Sequence, residues 1–344
     1  MAGDRYPKLK VAAVQAACPF NDREAATLKA CDLIREAGRN GAQFIVFPEG
    51  FIPSHPNWFH HHVATGPKAN GFLVDLFRNA VEIPGPVTDA LGEAARDAGA
   101  IVVMGVCERI GGTLGTLFNT QVYIGADGNL IGKHQKLMPT AAERLAHAGG
   151  HGDTFGTFPT PHGPMSSLIC GENNNPLAVF ALAAQHTHVH AMSWPPYVGP
   201  NAAPVRRIAE VASRNFAEVA GAFVVSACGA LDDDTIARLE PSPEHEAWLR
   251  KPESTGGSMI VAPNGEILAG PMGNEEGILY ADCDIEQAVR RKLSRDYAGH
   301  YNRADVFQLT VNTQAPILYR QKGGSEVSPP AAPRDHPSSG VSRA

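Results

Sequence analysis

The chain has 344 residues, of which 43% are hydrophobic and 19% charged, an ordinary composition for a folded domain with a sizeable core. Its formal net charge of −6 argues against a nucleic-acid partner, because such proteins usually carry a basic surface. The sequence contains no run of about 18 apolar residues and starts with MAGDRYPKLK, which lacks the apolar stretch of a signal peptide. We therefore expect a cytoplasmic protein that does not span a membrane.

Apolar periodicity and turn signals predict alternating strands and helices first and hairpins later. Strands are expected at 10–17, 43–49, 101–109, 166–170, 188–194 and 222–229, and helices at 22–39, 87–98, 176–186, 203–220 and 286–294. Hairpins are expected at 119–136, turning at Asp127-Gly128, and at 258–285, where 258–270 turns at Asn264-Gly265 and pairs with 277–285.

This alternation predicts one layered α/β domain with a mixed sheet, and we place that domain at residues 1–320. The segment 321–344 is rich in Pro, Ser and Gly and has too little apolar surface to build a core. We therefore expect it to be a disordered C-terminal tail.

One of the six cysteines stands in an unusual place. The cysteines are widely spaced, without the CxxC pairs of a zinc site, and are expected to be reduced, buried side chains. Cys170, however, ends the strand SSLI, and the chain turns at once through Gly171. A thiol at the end of a strand, next to a turn, can reach a cleft.

Two further polar residues follow apolar strands in the same way. Glu49 comes after QFIVFP, and Lys136 follows the second arm of the first predicted hairpin. A carboxylate, an ammonium and the Cys170 thiol that meet at strand ends can provide a base, an electrostatic stabiliser and a nucleophile. Glycine at position 171 tolerates a strained turn and leaves its N–H free to bind an anion. Taken singly, each residue also fits an ordinary structural role, as a surface charge or a core thiol.

Several separated stretches resemble the nitrilase superfamily of carbon–nitrogen hydrolases, whose signature is a Glu-Lys-Cys triad. The matching stretches are FIVFPEGFIPSHPNW (44–58), GKHQKLMPTAAER (132–144), SSLICGENNNPLAVFAL (166–182), HVHAMSWP (188–195), GGSMIVAPNGEIL (256–268) and DYAGHYNRADVFQL (296–309). The segments 53–58 and 136–144 are similar to the nitrilase branch of that superfamily.

The resemblance implies an α/β fold of the α-β-β-α sandwich type that forms four layers. It also implies that Glu49 is the general base, Lys136 the stabiliser and Cys170 the nucleophile. Supporting or substrate-positioning roles fall on four further residues: Glu143, Gly171, Trp58 and Trp194. Many nitrilases carry Trp where this chain has Gly171, and that departure leaves the pocket shape and substrate preference open.

The activity implied is hydrolysis of an organic nitrile to the carboxylic acid and ammonia, through a thioimidate and a thioester on Cys170. The alternative is an amidase, or a nitrile-hydrating enzyme, with the same triad. The reaction needs no metal or organic cofactor. The expected partner is a small-molecule nitrile, with no nucleic acid or membrane. The assemblies typical of the family imply a homo-oligomer that can extend into a spiral filament.

Three other interpretations of the sequence remain open. His186, His188 and His190 are spaced two apart, so one strand would place them on one face as zinc ligands. A hydrogen-bonded structural role for His190 is favoured, and the run 60–62 is expected at a surface or pocket rim. The carboxylates of the acidic run 232–234 are ligands that a hard cation could use, but consecutive side chains in a loop point in different directions, so a solvated loop is favoured. Finally, the chain can be a non-catalytic scaffold, which selective labelling of a reactive Cys170 would disprove.

Overall fold

The computed structural model describes residues 5–200, 202–320 and 322, together with the backbone of 326–327. The strands are β1 (Lys8–Gln15), β2 (Phe44–Val46), β3 (Ile101–Arg109), β4 (Leu117–Ile124), β5 (Leu130–Gln135), β6 (Thr157–Phe158), β7 (Met165–Ile169), β8 (Val189–Trp194), β9 (Phe223–Cys228), β10 (Met259–Val261), β11 (Ile267–Ala269), β12 (Gly277–Asp284), β13 (Tyr319–Arg320) and β14 (Glu326–Val327).

The helices are α1 (Arg23–Arg39), α2 (Pro67–Asn79), α3 (Pro86–Ala98), α4 (Pro176–Ala183), α5 (Val205–Ala220), α6 (Asp233–Leu239), α7 (Pro243–Leu249) and α8 (Glu286–Ser294). Short 3₁₀ helices cover Asn57–His60, Ala141–Leu145, Gly152–Thr154 and Cys170–Asn174. Among the described residues, no helix combines the length and apolar character that crossing a membrane requires.

In the described part of the chain, most strands form two six-stranded mixed sheets. The order of the first is β12-β1-β2-β3-β4-β5, and that of the second is β11-β10-β9-β8-β7-β6. The neighbours β1, β2 and β3 are parallel, as are β7, β8 and β9, whereas the outer pairs are antiparallel. Helices connect the parallel strands, as the predicted alternation requires.

Three apolar clusters of described residues fill the spaces between four layers of helices and sheets. One cluster packs the first sheet against α1 and α3, a second joins the two sheets face to face, and a third packs the second sheet against α4 and α5. In β1, Leu9, Val11 and Ala13 face the other sheet, whereas Ala12 and Val14 face the helices, because side chains alternate along a strand. The α-β-β-α sandwich that the resemblance implied is therefore confirmed.

The expected pairing of 258–270 with 277–285 is wrong. The strands β10 and β11 do form a hairpin around Asn264-Gly265, but β12 crosses to the other sheet. There it pairs antiparallel with β1, from Lys8 opposite Asp284 to Gln15 opposite Gly277. The expected pairing assumed that strands close together in the sequence pair with each other. A partner as distant in the sequence as β1 leaves no local signal in β12.

The long predicted helices are confirmed within a few residues, but three others were missed. The helix α1 begins at Arg23 because the Asp22 side chain accepts a hydrogen bond from the Ala25 N–H at 3.0 Å, a cap worth about 1 kcal/mol. The missed helices are α2, α6 and α7, and the last two have only seven residues each. Short helices depend on tertiary contacts more than on periodicity, so their sequences carry a weak signal.

The acidic run 232–234 is exposed, as expected, but it begins a helix instead of lying in a loop. Asp232 caps α6 by accepting a hydrogen bond from Thr235 N at 2.8 Å. Asp233 and Asp234 pair with arginines in or just after helices α6 and α7. These contacts explain the run without a metal ion.

The domain boundary at 320 and the disordered tail at 321–344 stay predictions. Apart from residue 322 and the backbone of 326–327, the tail lies outside the described residues. That backbone forms β14, which pairs antiparallel with β13.

Candidate functional site

Glu49, Lys136 and Cys170 all lie just beyond strand ends, as predicted. Glu49 follows β2, Lys136 follows β5 in the same sheet, and Cys170 follows β7 in the other sheet. A backbone hydrogen bond from Glu49 N to Trp194 O, at 3.2 Å, joins the two sheets at this point. The site is therefore built where the ends of two stacked sheets meet.

Gly105 allows β3 to approach the segment that carries Glu49. A Cβ at position 105 would lie 2.0 Å from Pro48 O and 3.0 Å from the Glu49 Cα, distances that only glycine can accept. The carbonyl of Gly105 also accepts a hydrogen bond from Ile52 N at 3.1 Å. The close packing fixes the backbone on both sides of the glutamate.

A buried network of charged groups forms the centre of the site. Lys136 Nζ donates hydrogen bonds to Glu49 Oε1 at 2.7 Å and to Glu143 Oε2 at 2.6 Å. Asn119 Nδ2 donates to Oε1 of both glutamates, at 2.6 Å each. The side chains of the lysine and the two glutamates are at most 2% exposed. The predicted Glu49, Lys136 and Glu143 are thus brought together by an asparagine that the sequence analysis did not identify.

The three charges stabilise one another against the cost of burial. Although burial opposes it, the Lys136 ammonium holds the pKa of Glu49 below its usual range, and it holds that of Glu143 well below. Burial also opposes the charged form of Lys136, but Glu49, Cys170 and Glu143 raise its pKa well above the ordinary value. Both glutamates are therefore carboxylates and the lysine is an ammonium.

Cys170 takes a strained backbone conformation, with φ of +51°. A residue with a side chain adopts this left-handed region at a cost, and such strain collects at functional sites. The strain therefore falls on Cys170 itself, and Gly171 is not among the residues with positive φ. The predicted need for glycine in a strained turn at 171 is therefore wrong, and a Cβ there would meet Thr140 Oγ1 at an ordinary 3.4 Å, whereas the predicted N–H of Gly171 does face the Cys170 thiol.

The Cys170 thiol is buried among the charges of the network. Burial and the Glu49 carboxylate raise the pKa of the thiol well above its ordinary value, while Lys136 and a hydrogen bond from the Gly171 N–H oppose the rise. The resting side chain is therefore a thiol. A base must take its proton during attack, and the groups that favour the thiolate are already in place.

Glu49 has one oxygen free for that task. Its Oε1 accepts hydrogen bonds from Lys136 and Asn119, and His55 Nε2 lies 3.4 Å away. Its Oε2 is buried and has no hydrogen-bond partner. Since an unpartnered buried carboxylate oxygen is costly, this atom is ready to accept a proton or to hold a water.

His55 lies beside Glu49, which favours the protonated form of its ring. Its Nδ1 donates a very short hydrogen bond to Asn57 Oδ1, and its Nε2 faces Glu49 Oε1. Both ring nitrogens face oxygens that only accept, which the doubly protonated imidazolium satisfies. Burial opposes this charge, but Glu49 raises the pKa of His55. When His55 is protonated, one imidazolium and one ammonium balance the two buried carboxylates.

Glu172 ties the Lys136 segment to the Cys170 segment. Its Oε1 accepts a hydrogen bond from Leu137 N at 2.7 Å, and its Oε2 accepts one from Ile169 N at 2.9 Å. His134 Nε2 lies 3.0 Å from Oε2, and both side chains are almost fully buried. The residue after Lys136 and the residue before Cys170 thus share one carboxylate.

The histidines considered as zinc ligands lie in different environments. His186 is exposed in the turn after α4, His188 precedes β8 and interacts with His162 O, and His190 is buried in β8. The ring of His190 bonds Ser166 Oγ at 2.7 Å and Asn173 Oδ1 at 3.0 Å. Asn173 Nδ2 in turn donates to Cys170 O at 3.0 Å. His190 thus has the structural role that was favoured, because it supports the turn at Cys170.

The run 60–62 is partly buried and joins neighbouring elements. His61 Nε2 lies 2.8 Å from the Tyr197 hydroxyl and its Nδ1 lies 3.1 Å from His245 Nδ1, while His62 Nε2 donates to Leu239 O at 2.7 Å. Burial and His245 lower the pKa of His61 to about 4. These contacts hold α6 and α7 against the 3₁₀ helix at Asn57–His60.

The two predicted tryptophans are core residues. Trp58 packs with Phe20, Phe59 and Phe72 in a separate aromatic cluster, whereas Trp194 belongs to the same apolar cluster as Cys170. The Trp194 ring donates to Ser226 Oγ at 3.1 Å. The structure shows that both tryptophans pack in the core. Their supporting or substrate-positioning roles stay predictions.

A small cavity of about 40 Å³ borders the network. Glu49, His55, Asn57, Leu231 and Thr235 are among the residues that line it. The volume is enough for a water molecule or a small group. It gives Glu49 a neighbouring space on the side of His55.

Among the residues that the structure describes, Glu49, His55 and Glu143 form the one cluster with metal-ligating atoms close together. Their ligand atoms lie within 4.8 Å of one another. However, Lys136 Nζ is bonded to both carboxylates, so an ammonium takes the position from which a cation would bind them. The donor set therefore does not fit a metal ion while Lys136 is charged.

A thiol, a carboxylate with a free oxygen and an ammonium, held at the sheet ends of an α-β-β-α sandwich, define a class of hydrolases that work through a cysteine. The sequence model of the carbon–nitrogen hydrolase family matches residues 10–292. The chain belongs to this family, and its curated relatives place it in the nitrilase branch of the nitrilase superfamily.

Two curated relatives illustrate that placement. The aliphatic nitrilase of Sinorhizobium fredii (strain HH103) is 39% identical over 313 residues, which are 89% of this chain and 96% of that protein. A bifunctional nitrilase/nitrile hydratase of Lupinus angustifolius is 36% identical over 319 residues, 89% of this chain and 86% of that protein.

A solved structure supports the fold alone. The nitrilase-superfamily member Nit3 of Saccharomyces cerevisiae superimposes with a TM-score of 0.65 and is 21% identical. The match covers 84% of this chain and 94% of that protein. The shared fold agrees with the sandwich described above.

Proposed function

We propose that this protein is a nitrilase that hydrolyses an organic nitrile to the carboxylic acid and ammonia. The observation that carries the chemistry is the buried Glu49 carboxylate, whose free Oε2 lies in the same charged centre as the Cys170 thiol. The choice of nitrile as substrate is supported by curated relatives that carry the name nitrilase and align over most of both chains.

In the first half of the reaction, Cys170 Sγ attacks the nitrile carbon while Glu49 Oε2 takes the thiol proton. A C–S bond forms, one π bond of the C≡N group breaks, and the proton passes to nitrogen to give a thioimidate. Water then adds to the thioimidate carbon. The tetrahedral intermediate expels ammonia after its nitrogen is protonated, and a thioester remains.

In the second half, Glu49 activates another water that attacks the thioester. The C–S bond breaks, the acid leaves, and the thiol recovers its proton. Overall, one nitrile and two waters give one acid and one ammonia. Lys136 and the Gly171 N–H stabilise negative charge as it develops, and Glu143 holds Lys136 in place.

The substrate assignment is tested by comparing a nitrile with its matching amide. A nitrile carbon is linear and forms a planar first adduct, whereas an amide forms a tetrahedral one, so one site discriminates between them. We expect nitriles to react roughly tenfold faster or more. Ammonia, acid and amide are measured from a small panel of aliphatic, aryl and arylacetonitriles at equal concentrations, with the Cys170→Ala variant as blank.

A clear preference for amides would move the protein to an amidase role while leaving the triad proposal intact. Amide formed from a nitrile would show that the tetrahedral intermediate expels the thiol before ammonia. Mass spectrometry of acid-quenched enzyme should detect the acyl adduct on the Cys170 peptide. Selective labelling of no cysteine and the absence of turnover would instead support the non-catalytic scaffold.

We also propose a homo-oligomer. Large apolar side chains are exposed around a groove of about 660 Å³ formed by α4, α5 and the segment 297–309, and exposed apolar surface of this kind supports self-association. Light scattering after size-exclusion chromatography measures the subunit number, and electron microscopy would reveal a spiral filament. The cytoplasmic location expected from the sequence stays a prediction.

A further inference from the structure

Behind Glu143 lies a second buried cysteine that is linked to the site through a histidine. Cys107 Sγ is 3.2 Å from His147 Nε2, and His147 Nδ1 is 3.2 Å from Glu143 Oε1. Glu143 then contacts Lys136 at 2.6 Å. Cys107, His147 and Glu143 are each at most 4% exposed. The line of contacts runs from the strand β3 to the ammonium of the site.

The protonation states of the three side chains determine which atom donates each hydrogen bond along this line. A carboxylate only accepts, so the bond to Glu143 requires the proton of His147 on Nδ1. The neutral ring then has a bare Nε2, to which the Cys107 S–H donates. Burial lowers the pKa of His147 and raises that of Cys107 well above its ordinary value, so the pair is a neutral imidazole and a thiol. Each group makes the bond that its protonation state allows.

Cys107 is a rigid anchor for this line. It lies inside β3, its N–H donates to Ile52 O at 2.7 Å, and its carbonyl accepts from Val81 N at 2.8 Å. His147, by contrast, lies after the 3₁₀ helix that carries Glu143, and its N–H donates to Glu143 O at 2.9 Å. The thiol therefore connects a short, irregular segment to the centre of a sheet.

The line of contacts from Cys107 through His147 to Glu143 has the same residue types as a Cys–His–Glu nucleophilic triad, but Cys107 is not placed to attack a substrate. Its side chain is 0% exposed, and burial and Glu108 keep it as a thiol. The thiol that can react is Cys170, which lies among Glu49, Lys136 and the Gly171 N–H. Cys107 acts through other residues.

We propose that Cys107 and His147 are positioning residues: the thiol holds His147 in the tautomer that donates to Glu143, and this bond keeps Glu143 and Lys136 in the geometry that the reaction needs. The proposal rests on the proposed function of the Glu49, Lys136 and Cys170 site. Without His147, Glu143 Oε1 retains the Asn119 bond while Oε2 is still held by Lys136 and Thr140 N, so the carboxylate can rotate about Oε2 and shift the lysine.

The test compares His147→Phe, which removes both ring nitrogens, with His147→Asn, whose amide N–H replaces the donor at the Nδ1 position. We expect His147→Phe to lower kcat roughly 10- to 100-fold with little change in KM, because a small displacement of a positioned group has this effect. His147→Asn should recover most of kcat. The substrate is whichever nitrile or amide the parent enzyme turns over.

A second readout needs no substrate. Lys136 favours the Cys170 thiolate more strongly than Glu143 opposes it, so displacement of Lys136 should slow alkylation of Cys170 by iodoacetamide. A rise of one unit in the pKa of the thiol corresponds to a roughly tenfold slower reaction. If the parent turns over neither nitrile nor amide, the proposed function fails, whereas this comparison still tests the positioning.

Cys107→Ala and Cys107→Ser form a second pair of variants. They keep the proposal testable if a thermal melt shows that His147→Phe does not fold. The serine keeps a donor for His147 Nε2, so it should stay nearer the parent than the alanine in kcat and in alkylation rate. Two results overturn the proposal: His147→Phe and Cys107→Ala within twofold of the parent in both readouts, or the members of each pair equally impaired, which would indicate packing alone.

Discussion

Asn119, in β4, and Lys136, directly after the neighbouring β5, bridge the same two glutamates. The Lys136 N–H donates to Asn119 O at 2.8 Å, so the two residues are also held together through their backbones. Each side chain reaches Glu49 Oε1, and between them they occupy both oxygens of Glu143. The amide thus supplies the neutral donor that lets two carboxylates share one lysine.

Asn119→Asp tests this bridge, because the change replaces a donor by a third carboxylate of the same shape. Repulsion from Glu49 and Glu143 should displace at least one of them, and we expect kcat to fall roughly 100-fold. Steady-state kinetics with a thermal melt measure the effect. Gln121→Glu changes a buried amide two residues further along β4 and serves as a control for the effect of a buried charge alone. Unchanged kcat in Asn119→Asp would contradict the bridge.

Much of the fold could be predicted from the sequence, because its signals are local. The helix starting after Asp22 and the strand Ile101–Arg109 follow from capping and from continuous apolar residues. The partner of β12 could not be predicted, since nothing near residue 277 records that β1 lies in the other sheet. Three strand ends pointed to Glu49, Lys136 and Cys170, and the structure places these residues together.

The rest of the site could not be predicted because its residues have ordinary sequence surroundings. Asn119 is one amide in a buried strand, and Cys107 and His147 are 40 residues apart, so only the tertiary fold shows that they touch. Glu172 follows Cys170 by two residues, but its contact with the Lys136 segment depends on how the two sheets stack. Asn119 stands beside Thr120 and Gln121 in its strand, so even its polarity does not single it out.

Cys170→Ala should abolish turnover, by at least about 1000-fold, while the protein still folds. The thiol is the atom that forms the covalent intermediates, so no neighbour can replace it. Cys283→Ala is the matched control, since Cys283 is also a buried thiol but packs between the sheets. It should retain most activity. Substantial turnover by Cys170→Ala would refute the proposed mechanism.

Removal of metal ions should leave the activity unchanged. The carboxylates that come nearest to a metal site are bonded to Lys136, and His186, His188 and His190 have separate environments. We expect enzyme treated exhaustively with EDTA or phenanthroline to keep its kcat within error. Loss of activity that returns on addition of zinc, but not of magnesium, would revive the zinc interpretation.

The charge on His55 should produce the alkaline limb of the pH profile. Burial and Lys136 oppose the charged form, but Glu49 and Glu143 raise the pKa of His55, and His60 and His147 are also near it. Below the raised pKa, His55 is an imidazolium and the buried centre is neutral. As the pH rises through that pKa, the proton is lost, one carboxylate is left unbalanced, and kcat/KM should fall.

The same proton contributes to stability with the same sign. Because the folded pKa of His55 exceeds its unfolded value of about 6.5, this stabilisation is fully present below pH 6.5 and is lost as the pH rises through the folded pKa. His55→Gln keeps a donor to Glu49 but cannot titrate. We therefore expect the variant to have lower kcat/KM at pH 6 and to lack the wild-type decline on the alkaline side of pH 6.5. His162→Gln, a partly buried histidine outside the network, should keep the parent profile. Superimposable alkaline limbs for the parent and His55→Gln would assign the decline to another group.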